Sequence, residues 1–369
     1  MKSWFRVLYV VLIAAGAVVA AIGMGAIVLG ILGKDPLAVY KVILTEPLRD
    51  MFGLTEIAVR MTPLILVALG IAISFRSGIL NIGAEGQIQM GVIAAAATAI
   101  FLPGLPKGLA MPLSLLAGML AGALWAGIAG WLRARLKVSE LLSTVMLNYI
   151  AAQLYGFLLR GPMIDPAELQ VGSGTPQSVR LPRGAWIDRI IPGTRLHYGL
   201  VIALVAAVLV YILLWRTRWG YEMRAAGAEP KAARYGGIAV ESCLIGAMVL
   251  AGAFAGLAGA VEVTGVHRRA IEGISSGYGF SGIVVALFGG LHPAGIVPSA
   301  FFFGLLLIGA DMTQRIMTVP ANMVLVLQGA VILSIISAKV LIADKYLFER
   351  FARSLSRLVA KREAGEHAI

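Results

Sequence analysis

The segment from Asn81 to Met90, NIGAEGQIQM, places one carboxylate, three amides and two glycines between two apolar runs. Carboxylate and amide side chains together donate and accept hydrogen bonds, so they can bind the hydroxyl and amide groups of a polar solute. At membrane depth a charged side chain costs roughly 2.5 to 3.5 kcal/mol on insertion scales, and such residues usually face a bundle interior or a water-filled path. The segment is therefore a candidate part of a solute pathway.

Two roles for this segment stay open from the residues alone. If a helix begins near Gly83, Asn81 can cap it and Glu85 lies in the first turn, where the helix dipole favours an anion by roughly 0.3 to 1 kcal/mol. In the other interpretation, Asn81, Glu85 and Gln87 line the translocation route. The two roles are compatible.

Composition fixes the class of protein that must position these groups. The chain has 369 residues, of which 59% are hydrophobic and 14% charged, and its mean hydropathy is +0.88. These values exclude a soluble domain and predict an all-α polytopic membrane protein. Glycine pairs at the spacing of small-xxx-small packing motifs, Gly118/Gly122 and Gly252/Gly256, predict close helix contacts. The single cysteine, Cys243, excludes an internal disulfide and a multi-cysteine metal site.

Apolar runs predict about ten transmembrane helices. The expected spans are Val7–Leu32, Ile57–Phe75, Ile82–Leu102, Leu109–Leu132, Val138–Leu159, Leu200–Trp215, Leu244–Val263, Phe280–Leu291, Gly295–Ala310 and Pro320–Ile342. Gly289, Gly290, His292 and Pro293 split the eighth from the ninth, so we expect broken or re-entrant helices there. The permease domain would be residues 1–342, followed by a basic tail, residues 343–369, in which apolar residues among Lys and Arg are typical of an amphipathic helix on the cytoplasmic leaflet.

The distribution of Lys and Arg predicts the orientation. The net charge of +12 could indicate a nucleic-acid partner, but the basic residues lie in short connections and in the tail, as the positive-inside rule requires. Both termini are then cytoplasmic, and the connections 34–56 and 161–198 are external. About five spans precede the second connection and about five follow it, so the halves would form a 5+5 inverted repeat. Polar, glycine-rich segments at 77–89 and 273–282 lie in comparable places.

The cytoplasmic segment 218–238 is the strongest feature outside the membrane. Its composition predicts an Ala-rich helix, a break at residues 227–230, a second short helix with Pro230 in its first turn and a stop at Gly236-Gly237. Short helices of small residues suit docking into a groove of another protein. We expect a bulky group at Gly227 to obstruct that docking and to leave the membrane core untouched. A solvated loop held by anionic lipid is the alternative.

Four stretches together resemble a known family. They are NIGAEGQ, the run VSELLSTVMLNYI (138–150), the segment 218–238 and the run GYGFSGIVVAL (277–287). These stretches resemble the permease subunits of bacterial ABC importers for nucleosides and related simple sugars, in the branched-chain amino acid and ribose type permease superfamily. The resemblance covers nearly the whole chain and implies a chain in the bacterial cytoplasmic (inner) membrane.

The resemblance also implies roles and partners. The translocation pathway would include Asn81, Glu85, Gln87 and Asn148. Contact with the ATPase would involve Arg224, Ala226, Gly227, Glu229, Pro230, Ala233 and Arg234. The partners would be an ABC ATPase that holds ATP and Mg, a second, shorter permease, an extracytoplasmic substrate-binding protein and membrane lipid, with no nucleic acid. The solute could be a nucleoside, a nucleobase, ribose or another sugar.

Enzymatic chemistry is not expected of this chain, and it would bind no cofactor itself. The glycine pattern at 277–282 matches a dinucleotide fingerprint but follows no strand, and no Walker A sequence occurs. His197, His267, His292 and His367 lack metal-ligand spacing. The rival interpretation is an ion- or proton-coupled secondary carrier, for which Glu85 has no evident acidic companion well inside a span. We expect Glu85→Ala to impair uptake with assembly largely intact.

Overall fold

A computed structural model of the protein describes residues 2–31, 33–102, 104, 106–171 and 174–319, and four single residues, 329, 333, 334 and 337. The α-helices of these residues are α1 (Lys2–Ile31), α2 (Pro36–Arg49), α3 (Met51–Arg76), α4 (Ala84–Phe101), α5 (Lys107–Leu136), α6 (Glu140–Arg160), α7 (Pro166–Val171), α8 (Gly199–Arg216), α9 (Arg218–Ala228), α10 (Pro230–Tyr235), α11 (Val240–Val261), α12 (Tyr278–Phe288) and α13 (Pro293–Met317). A 3₁₀ turn, Arg183–Ala185, precedes α8, and a π-helix, Glu262–His267, continues α11. The predicted all-helical class is confirmed.

Among the described residues, six helices are long and apolar enough to cross a membrane: α3, α5, α6, α8, α11 with its π-helix, and α13. A seventh span results if Val19–Ile31 and Pro36–Arg49, which are bent by 118°, count as one. The predicted span Pro320–Ile342 and the predicted tail 343–369 lie outside the described residues. A multi-pass membrane protein follows from these helices, and the count of ten stays a prediction.

One helix was not expected from the sequence, and one sequence expectation needs correction. The connection 34–56 contains α2 and the start of α3, and its external location stays a prediction. The segment expected at Gly295–Ala310 is part of the 25-residue helix α13, so it is not a short broken piece. The predicted break is confirmed, since α12 has only 11 residues and ends before Gly289.

The described residues fall into two compact units, one within Met1–Glu46 and Gly309–Ile369 and the other formed by Pro47–Ile308. In the first unit, Lys34 Nζ donates to the carbonyl of Met317 at 2.9 Å, and Tyr40 Oη donates to the carbonyl of Ile22 at 2.7 Å. The motifs singled out above, apart from the tail, lie in the second unit.

Helix α3 is the core of the second unit. In its most apolar stretch of 18 residues, 89% is buried. Apolar residues on all its faces are fully buried, including Leu64, Ile65, Leu66 and Leu69. A helix that is apolar all round is stable only when other helices surround it. Helices α8, α11 and α12 pack against α3, so α3 has little surface left for lipid.

A glycine seam joins α5 to α11. A Cβ added to Gly122 would lie 2.7 Å from the Cα of Gly256 and would overlap the carbonyl oxygen of Gly252. A Cβ added to Gly256 would overlap the carbonyl oxygen of Gly118. The two predicted small-xxx-small motifs therefore pack against each other, and their backbones touch without intervening side chains.

Candidate functional site

The connection between α3 and α4 positions the polar segment. Helix α4 begins at Ala84 with Gly83 as its N-cap, and Glu85 lies in its first turn, as one of the two interpretations expected. Asn81 is not the N-cap residue. Its Oδ1 accepts from the backbone N–H of Gly83 at 2.9 Å, so it stabilises the turn before the helix.

Amide side chains hold this turn and the start of α4 together. Asn81 and Gln87 form two reciprocal hydrogen bonds of 3.0 Å each, and both residues are about 1% exposed. From α6, Asn148 accepts from the backbone N–H of Gly86 at 2.8 Å and donates to the carbonyl of Ile82 at 2.9 Å. In this conformation, the predicted pathway amides bind one another and the backbone.

The Glu85 carboxylate reaches from α4 to the first turn of α12. One oxygen accepts from the backbone N–H of Gly277 at 3.3 Å, and the other accepts from that of Gly279 at 2.8 Å. The Ser275 side chain also hydrogen-bonds to it. A Cβ on Gly279 would lie 2.6 Å from Glu85 Cα, so only glycine permits this approach. One carboxylate therefore faces the N-termini of two helices, where their dipoles favour negative charge.

A second polar group anchors the same turn of α12 from α3. Tyr278, which lies between the two glycines that bind Glu85, is 3% exposed, and its hydroxyl accepts from Arg60 Nη1 at 2.8 Å. Helix α12 therefore begins between a carboxylate of α4 and a guanidinium of α3. Sequence reasoning did not select Arg60, because its partner lies 218 residues away.

Two further carboxylates within candidate spans are buried. Glu56 of α3 is 5% exposed and accepts a two-point hydrogen bond from Arg195, with distances of 3.0 and 2.5 Å. Glu262 of the π-helix is 3% exposed and lies 3.5 Å from His267 Nε2. Both carboxylates lie near the ends of their candidate spans. They therefore leave standing the expectation that Glu85 has no acidic companion well inside a span, but they add buried acidic groups that the sequence did not single out.

Gln89 is the remaining amide of the motif. Its Oε1 is buried and has no hydrogen-bond partner among the described residues. Glu85 precedes it by one helical turn on the same face of α4. A buried polar atom without a partner costs about 1 to 3 kcal/mol, so Gln89 is a candidate for a contact made in another state of the protein. Sequence reasoning noted this residue without selecting it.

The segment 218–238 folds into the two predicted helices, α9 and α10. Glu229 separates them, Pro230 is the first residue of α10, and Gly236 is its C-cap. Helix α9 packs against α3, α8 and α11. Arg224 donates to the carbonyl of Leu214 at 2.9 Å, and its guanidinium lies 5.7 Å from the ring of Trp215.

The seven residues selected for ATPase contact divide into two faces. Ala226 and Ala233 are buried, and Arg224 and Gly227 are half-buried, whereas Glu229, Pro230 and Arg234 are exposed. A Cβ on Gly227 would lie 2.7 Å from the backbone nitrogen of Gly78 and would overlap the carbonyl oxygen of Arg76. The expectation that a bulky group at Gly227 leaves the core untouched is therefore wrong, because Gly227 packs against the end of α3.

The described part of the connection 161–198 is hydrogen-bonded to the residues after α11. Ser178 donates its backbone N–H to the carbonyl of Ala270 at 2.8 Å and is fully buried. His197 Nδ1 accepts from the backbone N–H of Gly199 at 3.0 Å. Burial, assisted by nearby arginines and opposed by Glu262, lowers the pKa of His197 to about 4, so its imidazole is neutral, as this acceptor role requires.

Comparison with known proteins identifies relatives along most of the chain. A profile of the family described as "Branched-chain amino acid transport system / permease component" matches residues 53–336. A glucose ABC transporter permease of Haloferax volcanii is 36% identical over 333 residues, covering 87% of this chain and 86% of the relative. A guanosine ABC transporter permease of Bacillus subtilis is 33% identical over 323 residues, covering 87% of this chain and 92% of the relative.

A nucleoside ABC transporter permease of Lactococcus lactis is 33% identical over 368 residues, covering 97% of this chain and 98% of the relative. Bacillus subtilis and Lactococcus lactis each have a second matching permease with the same named solute. These are 30% identical over 255 residues and 27% identical over 252 residues, and each alignment covers 66% of this chain and about three quarters of the relative.

Proposed function

Because this chain belongs to the branched-chain amino acid transport system permease family, we propose that it is the membrane-spanning permease subunit of an ATP-binding cassette importer. The observation that carries this proposal is the pair α9–α10. Its inner face packs on the membrane helices, while residues of α10 such as Tyr235, which is 95% exposed, are open to a partner. A transport subunit driven by a separate ATPase needs such a surface.

The proposed solute is a nucleoside, with a simple sugar as the alternative within the same class. The relatives are named for guanosine, nucleosides and glucose, so the names do not favour one solute alone. Asn81, Glu85, Gln87, Asn148 and also Gln89 are proposed to border the route. They would meet the solute when the start of α12 moves away from α4, since amide and carboxylate groups match ribose hydroxyls and base amides.

We also propose the 5+5 inverted repeat with about ten spans. The supporting observation is the order of elements in two parts of the chain. In the first part α3 is followed by a nonhelical link and α4, and in the second α11 with its π-helix is followed by a link and α12. The two polar segments expected to correspond, 77–89 and 273–282, meet through Glu85. The permease domain 1–342 and the basic tail 343–369 on lipid belong to the same proposal.

The proposed assembly contains an ATPase that holds ATP and Mg, a second, shorter permease and an extracytoplasmic substrate-binding protein. The paired permeases of Bacillus subtilis and Lactococcus lactis support a heterodimer. The proposed location is the bacterial inner membrane, with both termini and the segment 218–238 cytoplasmic. Arg76, Arg133, Arg135 and Arg216 end their helices on that side, as the positive-inside rule predicts.

One observation favours the rival function, an ion- or proton-coupled carrier. The buried pairs of Glu56 with Arg195 and of Glu262 with His267 supply acidic groups near the outer ends of spans, which a proton pathway would use. In the importer these pairs have a structural role instead. The pair of Glu56 with Arg195 joins the connection 161–198 to α3, and the pair of Glu262 with His267 lies within the π-helix.

Reconstituted transport separates the two functions. The purified assembly in liposomes is expected to accumulate radiolabelled guanosine only when ATP is supplied on the ATPase side of the membrane and the binding protein on the opposite side. Parallel assays with glucose and ribose identify the solute class. Uptake that follows an imposed proton or sodium gradient without ATP would replace the importer with the carrier.

Cysteine labelling tests the proposed orientation in a Cys243→Ser background. We expect Arg183→Cys, which is exposed on the connection 161–198, to react with an impermeant maleimide added to intact cells. Tyr235→Cys is expected to react only after permeabilisation. Ser178→Cys is the buried control from the same connection and should stay unlabelled in both conditions. Reversal of the first two results would invert the topology.

A further inference from the structure

Two arginines lie over the ring of Trp186. The guanidinium of Arg268 lies 4.0 Å from the ring centroid, and that of Arg180 lies 5.0 Å from it. The ring is itself fixed, because its Nε1 donates to the carbonyl of Leu181 at 2.9 Å. Attraction between the cations and the ring face holds both guanidinium groups in a set orientation.

The backbone around this stack is also fixed. Leu181 donates its N–H to the carbonyl of Arg268 at 2.9 Å, and Ile187 donates to that of Thr264 at 3.2 Å. Arg268 has a φ of +59°, a left-handed conformation that a non-glycine residue adopts only where its surroundings impose it. The connection 161–198 and the residues after α11 therefore present the arginines as one preformed surface.

Positive charge is concentrated at this surface. Burial lowers the pKa of Arg268, and the nearby charges of Arg189 and Arg180 lower it further. The Arg268 Nε is buried with no hydrogen-bond partner among the described residues. Cations gathered in this way repel one another, so an arriving anion would stabilise the cluster.

Orientation does not explain these arginines. The positive-inside rule accounts for basic residues in cytoplasmic connections, but 161–198 lies on the opposite side in the proposed topology. Anionic lipid attracts basic residues whatever their geometry, so it does not require a stacked and hydrogen-bonded arrangement. A planar guanidinium held in one orientation matches a carboxylate, which it binds through two parallel hydrogen bonds.

We propose that Arg180, Arg189 and Arg268 form a docking surface for carboxylates on the extracytoplasmic substrate-binding protein. This inference rests on the proposed importer function and adds the residues and the chemistry of the contact. Docking would pair Asp or Glu side chains of the binding protein with the preformed arginine surface. Charge complementarity of this kind raises the association rate and fixes the orientation of the partner.

Binding measurements on the full assembly in neutral-lipid nanodiscs test the surface. The double variant Arg180→Gln/Arg189→Gln is expected to weaken the Kd of the purified binding protein about tenfold to a hundredfold and to flatten its salt dependence. Arg268→Lys keeps the charge but loses the planar stack, and it should weaken binding as well. The matched control is Arg183→Gln, an exposed arginine on the same connection, which should change the Kd less than roughly twofold.

Other results would overturn the docking surface. An unchanged Kd for a correctly folded double variant would do so directly. Reduced uptake with unchanged receptor affinity would assign the arginines to an anionic solute, and binding that changes only with anionic lipid would assign them to the membrane. A wild-type assembly without ATP-driven uptake would instead refute the importer function, so the two failures are distinguishable.

Discussion

Gly227→Trp is expected to abolish the folded permease rather than to uncouple it. The α-carbon of Gly227 lies against Gly78, since a Cβ added to Gly78 would be 2.8 Å from it. A Cβ added to Gly227 would overlap the carbonyl oxygen of Arg76. Overpacking typically costs about 1 to 3 kcal/mol when side chains can adjust. Here the opposing atoms are backbone, so we expect a loss of more than about 3 kcal/mol out of a typical total of 5 to 15. Yield and monodispersity after size-exclusion chromatography in detergent measure this loss.

Ala232→Trp is the matched variant, because it adds the same side chain to a small residue on the exposed face of α10. We expect normal yield but weaker co-purification of the ATPase and loss of substrate-stimulated ATP hydrolysis. A disturbed contact of about 1 to 3 kcal/mol weakens association roughly five- to 150-fold. Normal yield of Gly227→Trp would contradict the packing, and normal coupling of Ala232→Trp would contradict the docking face.

Glu85→Ala is expected to lower both the yield and the uptake of the transporter. The substitution removes the acceptor of the Gly277 and Gly279 N–H groups, and hydrogen bonds to charged groups contribute about 1.5 to 3 kcal/mol each. The sequence alone predicted intact assembly, but it could not show that this side chain holds the start of α12. Yield and ATP-driven uptake per folded complex should be measured together.

Glu85→Gln separates the structural role from the pathway role. The amide keeps one acceptor for α12, so we expect most of the yield to return, while uptake per folded complex stays about tenfold lower because the charge is lost. Glu272→Ala is the control, since it removes an exposed carboxylate whose ion pair with Arg160 contributes only about 0 to 1 kcal/mol. Full uptake by Glu85→Gln would leave Glu85 a purely structural residue.

Local signals made the helix boundaries predictable. Helix starts and stops are set by residues that affect only their neighbours in the sequence. Examples are Pro230 at the first position of α10, Gly236 after its end and the break at Gly289. Helix α2 was missed because Lys41, Glu46 and Pro47 give it the composition of a connection. The glycine spacing in α5 and α11 predicted close helix contacts, but not that these two helices would pack against each other.

The faces of the site could not be predicted in the same way. The hydrogen bonds from Glu85 to the start of α12 join residues that are 192 and 194 positions apart in the sequence. The contact of Gly227 with the end of α3 likewise joins residues that are far apart in the sequence. No periodicity within a segment reports which remote backbone it will meet. Composition could indicate that Asn148 is polar within an apolar helix, but not that its amide would bind the start of α4.

The glycine seam between α5 and α11 limits which parts of the molecule can move. Helices that meet through side chains can slide, because rotamers repack as the axes shift. At Gly122 and Gly256 the main chains themselves are in contact, so even a small translation would force carbonyl oxygens into neighbouring α-carbons. We therefore expect α5 and α11 to keep a fixed position relative to each other during the transport cycle. The rearrangement would be confined to elements that hinge around them, such as the short helix α12.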